Sequence, residues 1–364
     1  MRSIRILIAT AAPLSPEFGA GQMAINLAEA LRAQGHDVTL WSPYPMPNLT
    51  RWWQGFQSIQ LMRSKLDAFI EAQEPFDVID TSAELITKRV GQSALVVARS
   101  IQPQILYTVC NLSNPLSLKE IVLLPLNYLF LIALVFLLIQ GWQRAKYILC
   151  LGSLEIKWMK KWFPWWRDKL IFYFNALSKT DQLTLNSICI NRNKYHSNSI
   201  KFLWIGRWAA HKGTTELSNF IVKRAASHPK DSFTIAGCNT NVEKYFPPAL
   251  IHSGRIKILS SFNRSQLYSL LASHDVGLFT SKVEGWGLIL NEMLESGMPV
   301  FATIAGGVPD LQPFFETLKP FPPPLQFMPD ILSSATTMDD YYRICSWDKI
   351  AENYANTILA NLKF

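Results

Sequence analysis

The sequence predicts an α/β protein of two doubly wound, Rossmann-like domains. Three observations lead there. At 364 residues the chain exceeds one ordinary domain and fits two of roughly 150–200 residues. Short β-rich apolar runs alternate with helical stretches in both halves, the pattern of a parallel sheet covered on both faces. A polar stretch rich in Asn, Ser and Thr, 178–199, separates the two series. The expected domains are therefore 1–178 and 200–346, joined by a linker at 179–199, with a helix in 347–364 packing back on the first domain.

In the first half the expected strands are 4–9, 37–41, 77–80, 105–109, 147–151 and 170–173. Residues 22–34 carry apolar side chains at helical spacing and stop at Gly35, a residue that tolerates the left-handed conformation of a helix end. In the second half the expected strands are 201–205, 232–236, 257–259, 275–279 and 299–302. Six prolines between Pro313 and Pro329 exclude a continuous helix there, and a last amphipathic helix is expected over 348–362.

Composition narrows the function classes. With 49% hydrophobic and 17% charged residues, the chain is neither disordered nor fibrous. Lys and Arg exceed Asp and Glu by 35 − 27 = 8, which favours an anionic partner. The five cysteines (Cys110, Cys150, Cys189, Cys238 and Cys345) form no CxxC pair, so neither a disulfide framework nor a zinc site is indicated and a reducing cytosol fits. The first apolar run is too short for a signal-peptide core, so export is not expected.

Ligands of open α/β sheets bind at loops following strand ends. Three such loops carry candidate residues. Gly19 and Gly21 lead into the first helix, where free N–H groups suit an anion or a sugar hydroxyl. Nine intervening residues after the first strand set this loop apart from a dinucleotide fingerprint. Gly206, Arg207 and Lys212 follow the strand at 201–205. Five residues apart, the guanidinium and the ammonium suit a diphosphate, one as a fork and one as a point charge. The third loop, "SKVEGWGLILNEMLESG", places Glu284 before Gly285, Trp286, Gly287 and Leu288, with Glu292 eight residues on. A helix starting near Gly287 would put Glu284 in the loop and Glu292 on its second turn.

This last segment resembles the Glu-x7-Glu motif of the group 1 family of retaining, nucleotide-sugar-dependent glycosyltransferases with the GT-B fold. The resemblance runs through "GRWAAHKG", the Gly19/Gly21 loop and the closing "SWDKIAENYANTI". It implies two Rossmann-like domains facing each other across a cleft. It also implies a nucleotide-sugar donor whose diphosphate meets Arg207 and Lys212, whose ribose meets Glu292 and whose sugar faces Glu284. Gly206, Gly285, Trp286, Gly287 and Leu288 would line the donor, and Gly19 and Gly21 would let the N-terminal loop approach it. No metal and no other cofactor is implied, because the two cations neutralise the leaving group. One departure stands out: where many relatives have His-Asp after the strand "ILYTVCNLSN", this chain has Cys110 and Asn111. Asn111 is then the candidate sugar contact.

Residues 118–142 are far more apolar than a soluble enzyme requires, and 120–140 reach the length of a membrane span. The following segment mixes Lys157, Lys160, Lys161, Arg167 and Lys169 with Trp158, Trp162, Trp165 and Trp166, a composition of the headgroup interface. A helix inserting into one leaflet is the favoured reading, ahead of a buried helix or oligomer face and of a span. The leading expectation is thus a glycosyltransferase at the cytoplasmic face of the plasma membrane, acting on a lipid-linked or polysaccharide acceptor. No nucleic-acid partner is expected, since no matching motif is present. The alternatives are a catalytically silent GT-B protein binding a sugar nucleotide or a membrane partner, and a sugar-nucleotide epimerase.

Overall fold

The computed structural model describes residues 3–46, 54–113, 121–192, 199–327 and 338–362. The chain divides into two compact units, one of Met1–Ile105, Val122–Ser178 and Tyr342–Phe364, the other of Leu106–Ile121 and Lys179–Tyr341.

In the first unit β1 (Arg5–Ala9), β2 (Asp37–Trp41), β3 (Val78–Thr81), β4 (Leu95–Arg99), β5 (Tyr147–Leu151) and β6 (Leu170–Tyr173) form a parallel sheet in the order 2-1-3-4-5-6. The helices are α1 (Gly19–Ala33), α2 (Gln54–Glu71), α3 (Val90–Ser93), α4 (Gln104–Ser113), α5 (Leu124–Arg144) and α6 (Gly152–Trp162), of which α4 passes to the second unit at Leu106. Central strands such as Tyr147–Leu151 are apolar along most of their length because both faces are covered. Leu7, Ile79, Val96 and Ile148 meet in the core.

The second unit begins with α7 (Lys179–Asn191). It continues with β7 (Lys201–Ile205), α8 (Thr214–Ser227), β8 (Ser232–Ala236), α9 (Pro248–His252), β9 (Ile256–Leu259), α10 (Arg264–Ser273) and β10 (Val276–Phe279). It closes with α11 (Leu288–Glu295), β11 (Val300–Ala302), α12 (Val308–Leu311) and β12 (Leu318–Pro320). Its strands are again parallel, in the order 9-8-7-10-11-12. After α13 (Met338–Tyr342) the chain returns to the first unit as α14 (Trp347–Thr357). Ser346 caps α14, and the Trp347 indole donates to the Ala176 carbonyl at 3.1 Å.

Several expectations are corrected. Residues 105–109 were expected as a strand and lie in α4, which begins directly after Pro103. The sheet position beside β5 belongs to Leu95–Arg99, an unforeseen strand. β-rich composition is a preference for a half-buried pleated surface, and the sheet has one such place here. The supposed linker contains α7. Its helical periodicity is weak, and it is held by side-chain pairing of Asp181 with Arg264 and Tyr268. Residues 193–198 lie outside the described residues. The short strand β12 was also missed, because Pro320 argues against a strand except at an edge, where β12 stands. The last helix is shorter than 348–362, ending at Thr357 before a 3-10 turn at Leu359–Asn361.

The apolar insertion resolves into α5, and residues 114–120 lie outside the described residues. Its C-terminal half is docked. Leu134, Leu138 and Trp142 join the core, and Gly141 lies so close to Ala83 that a Cβ there would stand 1.9 Å from the Ala83 carbonyl oxygen. Lys169, expected at the headgroups, instead donates to the carbonyls of Gln143 and Ala145 at 3.0 and 2.8 Å, capping the end of α5. Because β4 and β5 pair directly on either side of the insertion, α5 cannot cross a bilayer once while the sheet is intact.

Gly141→Ala forces α5 away from Ala83. It should lower the unfolding free energy by about 1–3 kcal/mol, the usual cost of overpacking, as read from urea denaturation. An unchanged midpoint would refute this docking.

Candidate active site

In the 9-8-7-10-11-12 order, β7 and β10 are hydrogen-bonded neighbours whose connections leave in opposite directions, one towards β8 and the other towards β11. Between their C-terminal ends lies the crevice where open α/β sheets bind ligands. The loops bounding it run from Gly206 to Gly213 and from Thr280 to Gly287.

The two loops are stitched together. Gly213 has φ 65°, and a Cβ on it would stand 1.9 Å from the Thr280 carbonyl oxygen, so only glycine fits. The Thr280 hydroxyl donates to the Lys212 carbonyl at 2.7 Å and accepts from the Trp204 indole at 3.0 Å. The Lys282 amide donates to the His211 carbonyl at 2.7 Å. This brings the Lys212 ammonium onto the Glu284 carboxylate as an ion pair, with the Ser281 hydroxyl donating to the same carboxylate at 3.1 Å. Lys212 and Glu284 thus share the crevice, with Arg207 exposed on the loop that carries Lys212.

The expected helix start is correct: α11 opens at Leu288 after Gly287, whose φ is 90°. The side chain of Trp286, expected to line the donor, is turned into the core. Its indole is buried, donates to Asn291 Oδ1 at 2.8 Å and packs face-on against Gly307, so it anchors the loop to the core. Gly285 is buried beside it, and Leu288 is half-buried at the first turn.

Glu292 sits on the second turn of α11 and is buried. Its carboxylate pairs with Arg264, which also bonds Asp181. Burial pushes the Glu292 carboxyl up to about 7, against the opposing pull of Arg264. Burial also works against charge on Arg264, but Glu292 and Asp181 outweigh it, so the guanidinium is held more firmly protonated than usual.

Asn111, expected to contact a sugar, is engaged within the protein. Its Oδ1 accepts from the His211 amide at 3.3 Å and lies 3.0 Å from His211 Nδ1. An amide N–H can only donate, so the oxygen of Asn111 faces His211 and Nδ1 carries the proton. Tyr107 covers the imidazole at 4.2 Å between centroids. Burial first, then Lys212, lowers the His211 pKa to about 4, so the ring is neutral at pH 7. Cys110 is half-buried, and burial raises its thiol pKa.

Gly19 and Gly21 belong to the first unit, and the other candidates to the second. Gly19 opens α1 and is exposed, while a Cβ on Gly21 would stand 2.3 Å from the Pro13 carbonyl oxygen, so that glycine serves the fold of its own loop.

Residues 190–312 match the family model described as glycosyl transferases group 1. This stretch belongs to the group 1 glycosyltransferases. The phosphatidylinositol N-acetylglucosaminyltransferase GPI3 subunit of Saccharomyces cerevisiae (strain YJM789) is 27% identical over 141 residues, 38% of this chain and 31% of that protein. An uncharacterized 41.2 kDa protein in the cps region of Klebsiella pneumoniae is 28% identical over 149 residues, 40% of this chain and 39% of that one. The matched stretch is thus about a third of the length of these curated relatives. Among solved structures, the catalytic domain of starch synthase IV from Arabidopsis thaliana superposes with TM-score 0.61 at 11% identity, covering 99% of both chains. WaaG, a glycosyltransferase involved in lipopolysaccharide biosynthesis, gives 0.60 at 14%, covering 97% of this chain and 95% of its own. The fold is GT-B.

Arg264, Asp181 and His211 were not singled out from the sequence. Arg264 and Asp181 pair across 83 positions, and no spacing rule links them to the group 1 motif. His211 stood beside Lys212 in "AAHKG", but only the approach of α4 shows what its ring meets.

The depressed pKa of His211 has a consequence for stability. A neutral buried imidazole binds fewer protons when folded than when unfolded between about pH 4 and 6.5. Its contribution is complete above 6.5 and is lost as pH falls towards 4. Urea unfolding at pH 7 and pH 5 should show a smaller loss for His211→Asn than for the unsubstituted protein; equal losses would sink this account.

Proposed function

We propose that this chain is a retaining glycosyltransferase that moves a sugar from a nucleoside diphosphate donor to a lipid-linked or polysaccharide acceptor. The observation that carries the reading is the Lys212–Glu284 pair, with Arg207 on the same loop, at the β7/β10 crevice. Cleaving a glycosyl bond to a diphosphate leaves negative charge on phosphate and positive character on the sugar. Arg207 and Lys212 offer fixed cations to the departing diphosphate, so the reaction needs no metal, and Glu284 lies where the sugar's developing charge would be met. By the group 1 resemblance, Glu292 takes the donor ribose, and the amides after Gly285 meet phosphate or sugar.

The acceptor reading rests on the first unit. A cavity of about 410 Å³ opens at the C-terminal ends of β1, β3 and β4, lined by Trp142, Trp158, Ser100, Gln102 and Glu155. Aromatic walls with hydrogen-bonding groups suit a saccharide. Burial raises Glu155 to about 7, opposed by hydrogen bonds from Ser100 and the Leu151 amide. Near this cavity α5 leaves an apolar face uncovered, with Leu129 64%, Ile132 65% and Phe136 60% exposed. Exposed Trp162, Trp165, Lys157, Lys160, Lys161 and Arg167 provide interfacial rings and cations, while Trp166 is buried. These features support a helix lying in one leaflet of an anionic membrane, at its cytoplasmic face. The yeast relative is named for transfer to phosphatidylinositol, a lipid acceptor.

Thermal shift with UDP-, GDP- and ADP-sugars should reveal a donor, since saturating binding stabilises the fold by about 3 kcal/mol at a hundredfold excess over Kd. Lys212→Ala and Glu284→Gln should then lower transfer at least a hundredfold with the circular dichroism spectrum retained. Undiminished transfer would remove the assignment.

Sedimentation with phosphatidylglycerol-containing vesicles should be lost in the double variant Ile132→Asp, Phe136→Asp. Equal binding by both proteins would place the contact elsewhere.

A further inference from the structure

We propose that Arg264 is a positioning residue for donor binding, holding Glu292 in place by bridging it to Asp181 of α7. The inference rests on the reading that Glu292 meets the donor ribose and adds the group that keeps that carboxylate oriented and ionised.

The geometry is that of a clamp. Arg264 is the first residue of α10, where Asn263 and Gln266 form a reciprocal capping box that fixes the start of the helix. From there the guanidinium reaches two carboxylates on two other helices. Its Nε donates to Asp181 Oδ1 at 3.1 Å, and its Nη1 donates to Glu292 Oε1. Asp181 is braced from behind by the Tyr268 hydroxyl at 2.5 Å. Among the described residues Arg264 meets Glu292 through Oε1. Both carboxylates are nearly inaccessible, with side chains 8% and 5% exposed for Asp181 and Glu292, whereas Arg264 is 35% exposed.

Two buried carboxylates on one cation cannot both stay charged if the cation is removed. The charged groups facing Glu292 are Arg264, from α10, which favours its ionised form, and Asp181, from α7, which opposes it. The two neighbours therefore act on Glu292 with opposite sign. A purely structural role would have no such asymmetry, since loss of either partner would loosen the same contact in the same direction.

The test is isothermal titration with UDP, ADP and GDP between pH 6 and 9. Affinity of the unsubstituted protein for the nucleotide that binds should fall as pH drops through about 7, as Glu292 takes up its proton. In Arg264→Gln that limb should move up by a unit or more, with about tenfold weaker binding at pH 7 that recovers towards pH 9. In Asp181→Asn it should move down. Turnover assays should place the Arg264→Gln effect in KM for the donor rather than in kcat. A limb unchanged in Arg264→Gln, or shifted the same way in both variants, overturns the proposal. Should Arg264→Gln fail to fold, Asp181→Asn decides: a downward shift supports the clamp, and an unchanged or upward one overturns it. Glu292→Gln separates this from the underlying reading. Unaltered nucleotide affinity in that variant, or no binding of any of the three nucleotides, would remove the donor role of Glu292 itself. Weakened binding in Glu292→Gln with an unshifted limb in Arg264→Gln would remove only the clamp.

Discussion

Thr280, at the end of β10, is gripped by the loop of the neighbouring strand through every polar atom it offers on that side. Its hydroxyl lies between the Trp204 indole and the Lys212 carbonyl, and its own carbonyl presses on the bare Cα of Gly213. The contact leaves no room for a side chain at 213, and it sets the distance between the two loops of the crevice. The pairing of Lys212 with Glu284, the docking of the Lys282 amide on His211 and the entry angle of α11 all depend on it. A parallel sheet supplies the neighbouring strands, but this contact turns a topological crevice into a site of defined width.

A few charged groups in this protein are buried, among them Arg99, Arg224 and Glu292, and each of these is paired. In the first unit Arg99 and Asp80 form a buried two-point pair, and the Arg99 guanidinium lies over the rings of Tyr173 on β6 and Tyr354 on α14. In the second unit Arg224 and Asp231 form another buried pair. Such pairs add little net stability over well-packed apolar residues, yet losing one partner is costly, so they fix geometry more than they strengthen the fold. The Asp181–Arg264–Glu292 group differs in having two acids on one cation and a cation still partly open to water. That imbalance leaves Glu292 sensitive to its neighbours near neutral pH, whereas Asp80 has a partner to itself.

The first unit solves a different problem. A 21-residue apolar helix has been inserted between two adjacent strands without disturbing their pairing. The solution is a close backbone contact at Gly141, a lysine cap at the far end and a core-facing stripe through Leu134, Leu138 and Trp142. The opposite stripe carries Leu129, Ile132 and Phe136 outward. One helix thus belongs to the fold along one side and offers an apolar surface along the other, beside the cavity of the first unit.

Much of this was legible in the sequence. Periodicity and turn residues place ten of the twelve described strands to within about a residue, because a strand buried on both faces must be a short apolar run bounded by breakers. The Glu284–Glu292 spacing, with glycines between, likewise locates the crevice loop and the start of α11, since only glycine accommodates the backbone there. What the sequence could not settle were choices among equivalent local options. The segment around Ile105 reads as a strand until Leu95–Arg99 takes the one place beside β5. Residues 179–191 read as a linker until Arg264 supplies a partner for Asp181. The Trp286 ring looks like a ligand contact until Asn291 and Gly307 enclose it. Local composition determined which elements form and which loops carry chemistry, because those follow from steric and hydrophobic rules within a few residues. The tertiary structure decided which side chains face one another, because pairs such as Asp181 and Arg264 meet across 83 positions and their proximity exists only once the chain has packed.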